Sequence, residues 1–186
     1  MVCVKKTTRY AERDHEERIC YLSELRRLLP KFGGKQNLVY VDESGFEAYS
    51  QRTHGWAKRG VKIFGDVPGR NRKAVNLIMA QRQQEWLAPM TFTHSCDSLT
   101  VIAWMRQALL PELTRPSIIV MDNAPFHPKE KLRSIAKKAG HHLLFLPRYS
   151  PDFNPIEQSF AILKRRRLFA PHGTPLDQLL NTKLLS

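Results

Sequence analysis

Acidic residues are scarce in this 186-residue chain: 17 Asp and Glu stand against 30 Lys and Arg, a formal net charge of +13. Such an excess disfavours basic partners and points to a polyanion, with nucleic acid the first candidate. Cysteine is rarer still. Cys3, Cys20 and Cys96 are odd in number and far apart, with no Cys-x-x-Cys pair, which argues against a disulfide framework and against a zinc cluster. Three reduced thiols fit a cytoplasmic setting. The opening Met1-Val2-Cys3-Val4-Lys5-Lys6 lacks an apolar signal core, and no run approaches 18 apolar residues, so neither a leader nor a membrane span is expected. Internal repeats and low-complexity tracts are also missing. The length suits one domain, which at this size buries roughly 70% of its unfolded surface.

The pattern along the chain predicts its elements. Residues 11–29 read as an amphipathic helix, with Ile19, Leu22, Leu25 and Leu29 at helical spacing, ended by Pro30 and a Gly33-Gly34 joint. Residues 38–43 read as a strand buried on both faces. From Glu47 to Gly69 the chain is loop and hairpin material, and basic. Two strands are expected at 74–80 and 87–93, then a helix from an Asp97 cap to about Leu110. A strand at 117–122, a helix at 128–139 ended by Gly140, a strand at 142–145 and a helix from Asn154 to Leu168 follow. Antiparallel strands followed by βαβ units predict an α/β fold, a mixed sheet flanked by helices. The expected organisation is a linker and helix at 1–35, a main domain at 36–170 and a short, truncated-looking tail at 171–186.

Three acids occupy telling positions. Asp42 follows the run Leu38-Val39-Tyr40-Val41, and Asp122 follows Ile118-Ile119-Val120-Met121. Glu157 lies in the first turn of the last predicted helix, where Pro155 is acceptable because its missing N–H would be unpaired anyway. Asn154 or Asp152 can cap that helix. Ile156, Phe160 and Leu163 form a stripe to pack on the sheet, and Glu157, Ala161 and Lys164 the stripe beside it. Carboxylates at the carboxyl ends of neighbouring parallel strands can converge on one point, and hard oxygen ligands suit magnesium. Glu43 competes with Asp42, but strand alternation sends the two to opposite faces. An isolated Asp after a strand is commonly a turn former, and an isolated Glu in a first helical turn commonly complements the dipole. It is their combination that suggests metal-dependent phosphodiester chemistry.

The segments Val41-Asp42-Glu43-Ser44-Gly45-Phe46, Met121-Asp122-Asn123-Ala124-Pro125-Phe126-His127 and Leu146-Pro147-x-Tyr149-Ser150-Pro151-Asp152-x-Asn154-Pro155-Ile156-Glu157 resemble the catalytic domain of mariner-like DDE transposases, especially the bacterial insertion-sequence branch. The resemblance spans roughly residues 36–168, and the 34 residues between Asp122 and Glu157 match its spacing. Arg148 and Phe160 depart mildly from the family pattern, which often has proline and tryptophan there. The resemblance implies a ribonuclease-H-like (retroviral-integrase-like) five-stranded sheet and two divalent metal ions, Mg2+ or Mn2+. Asp42 would bridge both ions, and Asp122 and Glu157 would each hold one. Asn123 and His127 would order the site or contact DNA, with Asn154 in support. A plain role at the start of a helix is an equal alternative for His127. For a serine nucleophile at Ser150, no base is positioned by sequence.

Basic residues complete the expectation. Lys164 lies two turns beyond Glu157, about 10 Å along the helix, and with Arg165 it is a candidate phosphate contact. Lys58, Arg59, Arg70 and Arg72 in the basic hairpin region are candidates to hold a DNA strand, while Trp56 there reads as a packing residue or a base wedge. The implied function is strand cleavage at transposon ends and 3′-OH transfer into target DNA. The implied partners are end and target DNA, a homodimer or larger assembly, and a separate helix-turn-helix chain, since one helix alone precedes the first strand. The expected setting is cytoplasmic and nucleoid-associated. Two alternatives stand: a ribonuclease-H-like nuclease without strand transfer, and a truncated remnant that acts only by binding DNA or a partner.

Overall fold

A computed structural model describes residues 12–47, 56–62, 64, 74–171 and 173–181. The apolar run Leu38–Val41 sits at the centre of a five-stranded sheet in the order β3-β2-β1-β4-β5. The strands are β1 (Leu38–Phe46), β2 (Val75–Arg82), β3 (Glu85–Phe92), β4 (Ile118–Met121) and β5 (His142–Phe145). β1, β2 and β3 are antiparallel neighbours, whereas β1, β4 and β5 run parallel. This is the mixed sheet that the element order predicts.

β1 is longer than expected. Its parallel pairing with β4 ends at Val41↔Met121, but its antiparallel pairing with β2 continues to Phe46↔Val75. Asp42 is therefore mid-strand toward β2 and beyond the strand end toward β4. Sequence shows where apolar residues stop but not that a second neighbour carries the ladder on.

Helices cover both faces. One face of the sheet, including Val39, Val41, Ile78, Ile119 and Met121, packs against a helical segment made of α2 (Ser98–Trp104), a π-helical turn (Met105–Leu109) and α3 (Leu110–Glu112), and against α4 (Lys129–Lys138). Asp97 caps α2 as expected, accepting from the Thr100 N–H at 2.8 Å. Trp104 is 1% exposed, and its indole N–H donates to the Ala88 carbonyl at 2.7 Å, so its one polar atom is satisfied.

The opposite face carries α1 (His15–Leu28), α5 (Ile156–Phe169) and α6 (Leu176–Asn181). Tyr21 and Leu28 of α1 join Leu38, Ile118, Val120, Leu144 and Leu146 in one apolar cluster. Ile19, expected in that stripe, is 52% exposed, because Tyr21, two residues on and so on the other side of the helix, takes the inward position. Pro30 does not end the helical path outright. A 3₁₀ turn, Leu29–Phe32, follows and closes on Gly33 at φ 80°, a left-handed conformation that suits glycine.

In α5 the expected stripe of Ile156, Phe160 and Leu163 is buried against Leu77, Met79 and Phe46. Leu176 and Leu179 of α6 join that cluster, so this helix is packed on the domain. Among the described residues no helix is long and apolar enough to cross a membrane.

Candidate active site

Three elements deliver acids to one cleft. β1 brings Asp42, the end of β4 brings Asp122, and the first turn of α5 brings Glu157. All three line an open cleft of about 640 Å³, together with Asn123, Lys129, Arg148, Tyr149 and Asn154. Asp42 and Asp122 share a face because Tyr40 pairs with Val120, and each acid lies two residues further along its chain. Glu157 is exposed on α5, one position from the buried Ile156 that anchors the helix.

Asp42 is held tightly. Its Oδ1 accepts from the Glu43 N–H at 2.8 Å, and its Oδ2 accepts from Asn154 Nδ2 at 3.0 Å. Burial, reinforced by the charges of Glu43, Asp122 and Glu157, pushes its carboxyl up to about 7 against the lowering effect of the Glu43 N–H. Glu43 also rises to about 7, chiefly by burial, with Asp122 adding to the effect and His127 opposing it.

Asn154 is buried and does not cap α5. A 3₁₀ turn, Pro151–Phe153, precedes that helix, and no side chain caps it. Asp152 is likewise diverted, to Arg18 of α1 at 2.7 Å. Both expected caps were reassigned by tertiary partners far off in sequence.

Beneath the cleft lies a second layer. His127, whose side chain is fully buried, places Nε2 at 2.7 Å from Asp122 Oδ1 and 4.0 Å from Glu43 Oε1. Its Nδ1 has no hydrogen-bond partner among the described residues. A carboxylate can only accept, so Nε2 is the donor in this pair. The ring packs on Phe126 at 4.3 Å between centroids. Cys96 contacts Glu43 Oε1 at 3.8 Å, and burial with the Glu43 charge pushes its thiol up to about 12, which leaves it inert.

One ligand atom each from Glu43, Asp122 and His127 lie within 4.8 Å of one another. Neither Glu43 nor His127 lines the cleft. Of the three, Asp122 faces the cleft while Glu43 and His127 lie behind it, so the grouping serves better as support under Asp122 than as the ion site. Asp42, Asp122 and Glu157 offer hard oxygen donors in reach of solvent, and the buried Asn154 Oδ1 beside Asp42 has no hydrogen-bond partner among the described residues. A cluster of anions with one carboxyl forced up to about 7 fits a divalent cation well.

The supporting and basic candidates separate. Asn123 lines the cleft and accepts from Lys129 Nζ. Lys164 and Arg165 are exposed on α5 but outside the cleft lining, with Lys164 Nζ 5.7 Å over the Phe46 ring. Lys58 and Arg59 are exposed in a turn, beside a fully exposed Trp56. Arg70 and Arg72 lie outside the described residues. Lys129 and Arg148 are cleft cations that sequence reasoning missed. Lys129 opens a helix six residues after Asn123, so the spacing held a faint signal; nothing marked Arg148. Tyr149, 54% exposed at the rim, takes a positive φ of 53°, which turns the loop sharply there.

No curated protein sequence matches the chain. Among solved structures it is similar to the Mos1 strand transfer complex, at 19% identity and a TM-score of 0.70, over 97% of this chain and 58% of that one. It is also similar to the mariner Mos1 paired end complex with Mg (18%, TM-score 0.69, 98% and 60%). The third is the catalytic domain of Mos1 mariner transposase (14%, TM-score 0.60, 95% and 81%). The chain thus spans about three fifths of the length of the longer Mos1 chains and shares their ribonuclease-H-like fold. Residues 37–175 match the family described as DDE superfamily endonuclease, and by that match, across most of its length, the chain belongs to this family.

Proposed function

We propose that this chain carries the catalytic centre of a transposase, cleaving DNA strands at transposon ends and joining the freed 3′-OH to target DNA. The observation that carries this reading is the convergence of Asp42, Asp122 and Glu157, from three separate elements, on one open cleft. Membership of the DDE family and likeness to structures of a strand transfer complex and a paired end complex with Mg support it.

Asp42, Asp122 and Glu157 would hold two divalent ions, Mg2+ or Mn2+. When bound, such ions polarise a phosphoryl oxygen and lower the pKa of an attacking water or hydroxyl. The protein's own part is positional. Asn154 and the Glu43 N–H fix both oxygens of Asp42, and His127 fixes Asp122 from below. Lys129 and Arg148 put positive charge on the cleft walls, where phosphate oxygens would lie. No side chain in the cleft needs to form a covalent intermediate, because the two steps are displacements at phosphorus by water and by a 3′-OH.

The partners in this reading are end and target DNA, bound by a paired assembly of two copies. Lys58, Arg59, Arg70, Arg72, Lys164 and Arg165 would hold the backbone away from the reacting phosphate. A helix-turn-helix unit, on this or another chain, would read the element ends.

The test is nicking and joining of end-containing DNA by the full chain in Mg2+ or Mn2+. Joining by the parent, and its loss in Asp42→Ala, Asp122→Ala and Glu157→Ala, is expected. Nicking without joining would reduce the protein to a nuclease, and activity surviving Glu157→Ala would sink the site.

A further inference from the structure

The loop that leads into α5 is held mostly by contacts with other elements. Between Leu146 and Ile156 it contains Pro147, Pro151 and Pro155 and the positive-φ residue Tyr149. Its internal hydrogen bonds are short-range: the Phe153 N–H to the Ser150 carbonyl at 3.1 Å, the Asn154 N–H to Pro151 at 2.8 Å, and Ser150 Oγ to the Arg148 carbonyl at 3.1 Å. Yet this loop must fix Asn154 against Asp42 and aim Glu157 into the cleft.

The support comes from α1. Arg18 Nη1 donates to Ser150 Oγ at 2.8 Å and to Asp152 Oδ1 at 2.9 Å, while Nη2 donates to Asp152 Oδ2 at 2.7 Å. Its guanidinium also lies 3.9 Å over the centre of the Phe153 ring. Tyr21, on the next turn of α1, stacks on the same ring, with centroids 5.4 Å apart and planes 19° apart. Glu17 Oε2 accepts from the Arg148 N–H at 3.3 Å. Glu17, Arg18 and Tyr21, within little more than one turn of α1, thus grip Arg148, Ser150, Asp152 and Phe153, four of the six residues just ahead of Asn154. A planar guanidinium can fork to a carboxylate, reach a hydroxyl and stack on a ring at once; an ammonium cannot. The Arg18 side chain is 14% exposed and that of Asp152 57%, so the guanidinium is sheltered while the carboxylate stays within reach of water.

We propose that Arg18 is a positioning residue of the metal site: by pinning Ser150, Asp152 and Phe153 to α1, it sets the Asn154–Asp42 contact and the approach of Glu157. The inference rests on the assignment of Asp42, Asp122 and Glu157 as ion ligands. It makes α1 a structural part of the catalytic unit, not a linker ahead of it. Whatever displaces α1 also loosens the third carboxylate.

The test measures Mn2+ binding to the full chain by electron paramagnetic resonance, with thermal melting alongside. The parent binds, and Glu157→Ala binds more weakly. Arg18→Gln and Asp152→Asn each weaken binding by about tenfold, the usual lower effect of removing an outer-shell partner. The double variant is no weaker than either single one, since both break the same link. Arg18→Lys, which keeps charge and bulk and so guards against a folding failure, loses affinity while melting like the parent. Amide exchange in the metal-free protein gives an independent readout. Phe153, Asn154 and Glu157 exchange faster in Arg18→Gln, while β1 does not change. Parent-like Mn2+ affinity in both Arg18 variants overturns the inference and leaves the ion site standing. A parent chain that binds no Mn2+ overturns both.

Discussion

Replacing Asp42 by Asn is expected to stabilise the metal-free protein at neutral pH while abolishing its chemistry. Burial and three neighbouring acids raise the Asp42 carboxyl from 3.8 to about 7. Below pH 3.8 the group is protonated in both states and favours neither. As pH rises from there, the unfolded chain releases this proton while the folded one keeps it, so stability falls until the pH passes about 7. Each tenfold change in acidity is worth about 1.4 kcal/mol, so the full loss is about 4 kcal/mol at pH 8 and about 2 kcal/mol at pH 5.

The Asn side chain has no proton to lose, and its oxygen can still accept from Asn154. The stability gap between variant and parent therefore widens by about 2 kcal/mol from pH 5 to pH 8. In urea titrations with chelator, at an m-value of about 2 kcal/mol/M, that is a shift of about 1 M in the midpoint difference. Magnesium at about 100 times its Kd then returns about 2.7 kcal/mol to the parent, and little to the variant. A gap that does not change between pH 5 and pH 8 would refute the argument that Asp42 is buried among like charges and waiting for a cation.

Other substitutions probe the supports. Leu163, fully buried in α5, should cost about 2–5 kcal/mol as Leu163→Ala, measured by urea unfolding, and should lower cleavage because Glu157 rides on the same helix. Trp104→Phe removes the indole donor to the buried Ala88 carbonyl, an expected loss of about 1–3 kcal/mol in the same assay, with cleavage retained because Trp104 is remote from the cleft lining. If Lys164 and Arg165 touch phosphates, Lys164→Ala and Arg165→Ala weaken binding to all DNA sequences alike and each lower the salt slope by about 1; equal slopes for parent and variants would remove them from the interface.

Much of this protein could be read locally. The apolar runs ending at Val41 and Met121 set two buried strands, and the 3.6-residue stripe of Ile156, Phe160 and Leu163 set the face of α5 that packs. The three acids stood out because each interrupts or opens such an element. These features depend on near neighbours in the chain, where periodicity and capping preferences act.

What only tertiary structure decided is where polar side chains spend their hydrogen bonds. Asp152 and Asn154 are both good helix caps by type, yet one pairs with Arg18, 134 residues away, and the other with Asp42, 112 residues away. The motif after Asp122 marked His127 as a residue that could order the site, but its place beneath Asp122, like the burial of Glu43 with Cys96, is set by packing. A side chain chooses among partners by distance in space and by exposure to water, and neither quantity is written in spacing along the chain. The sequence by itself determined which carboxylates could meet; the packing of α1 and α5 on the sheet determined how Asp42, Asp122 and Glu157 are held once they do.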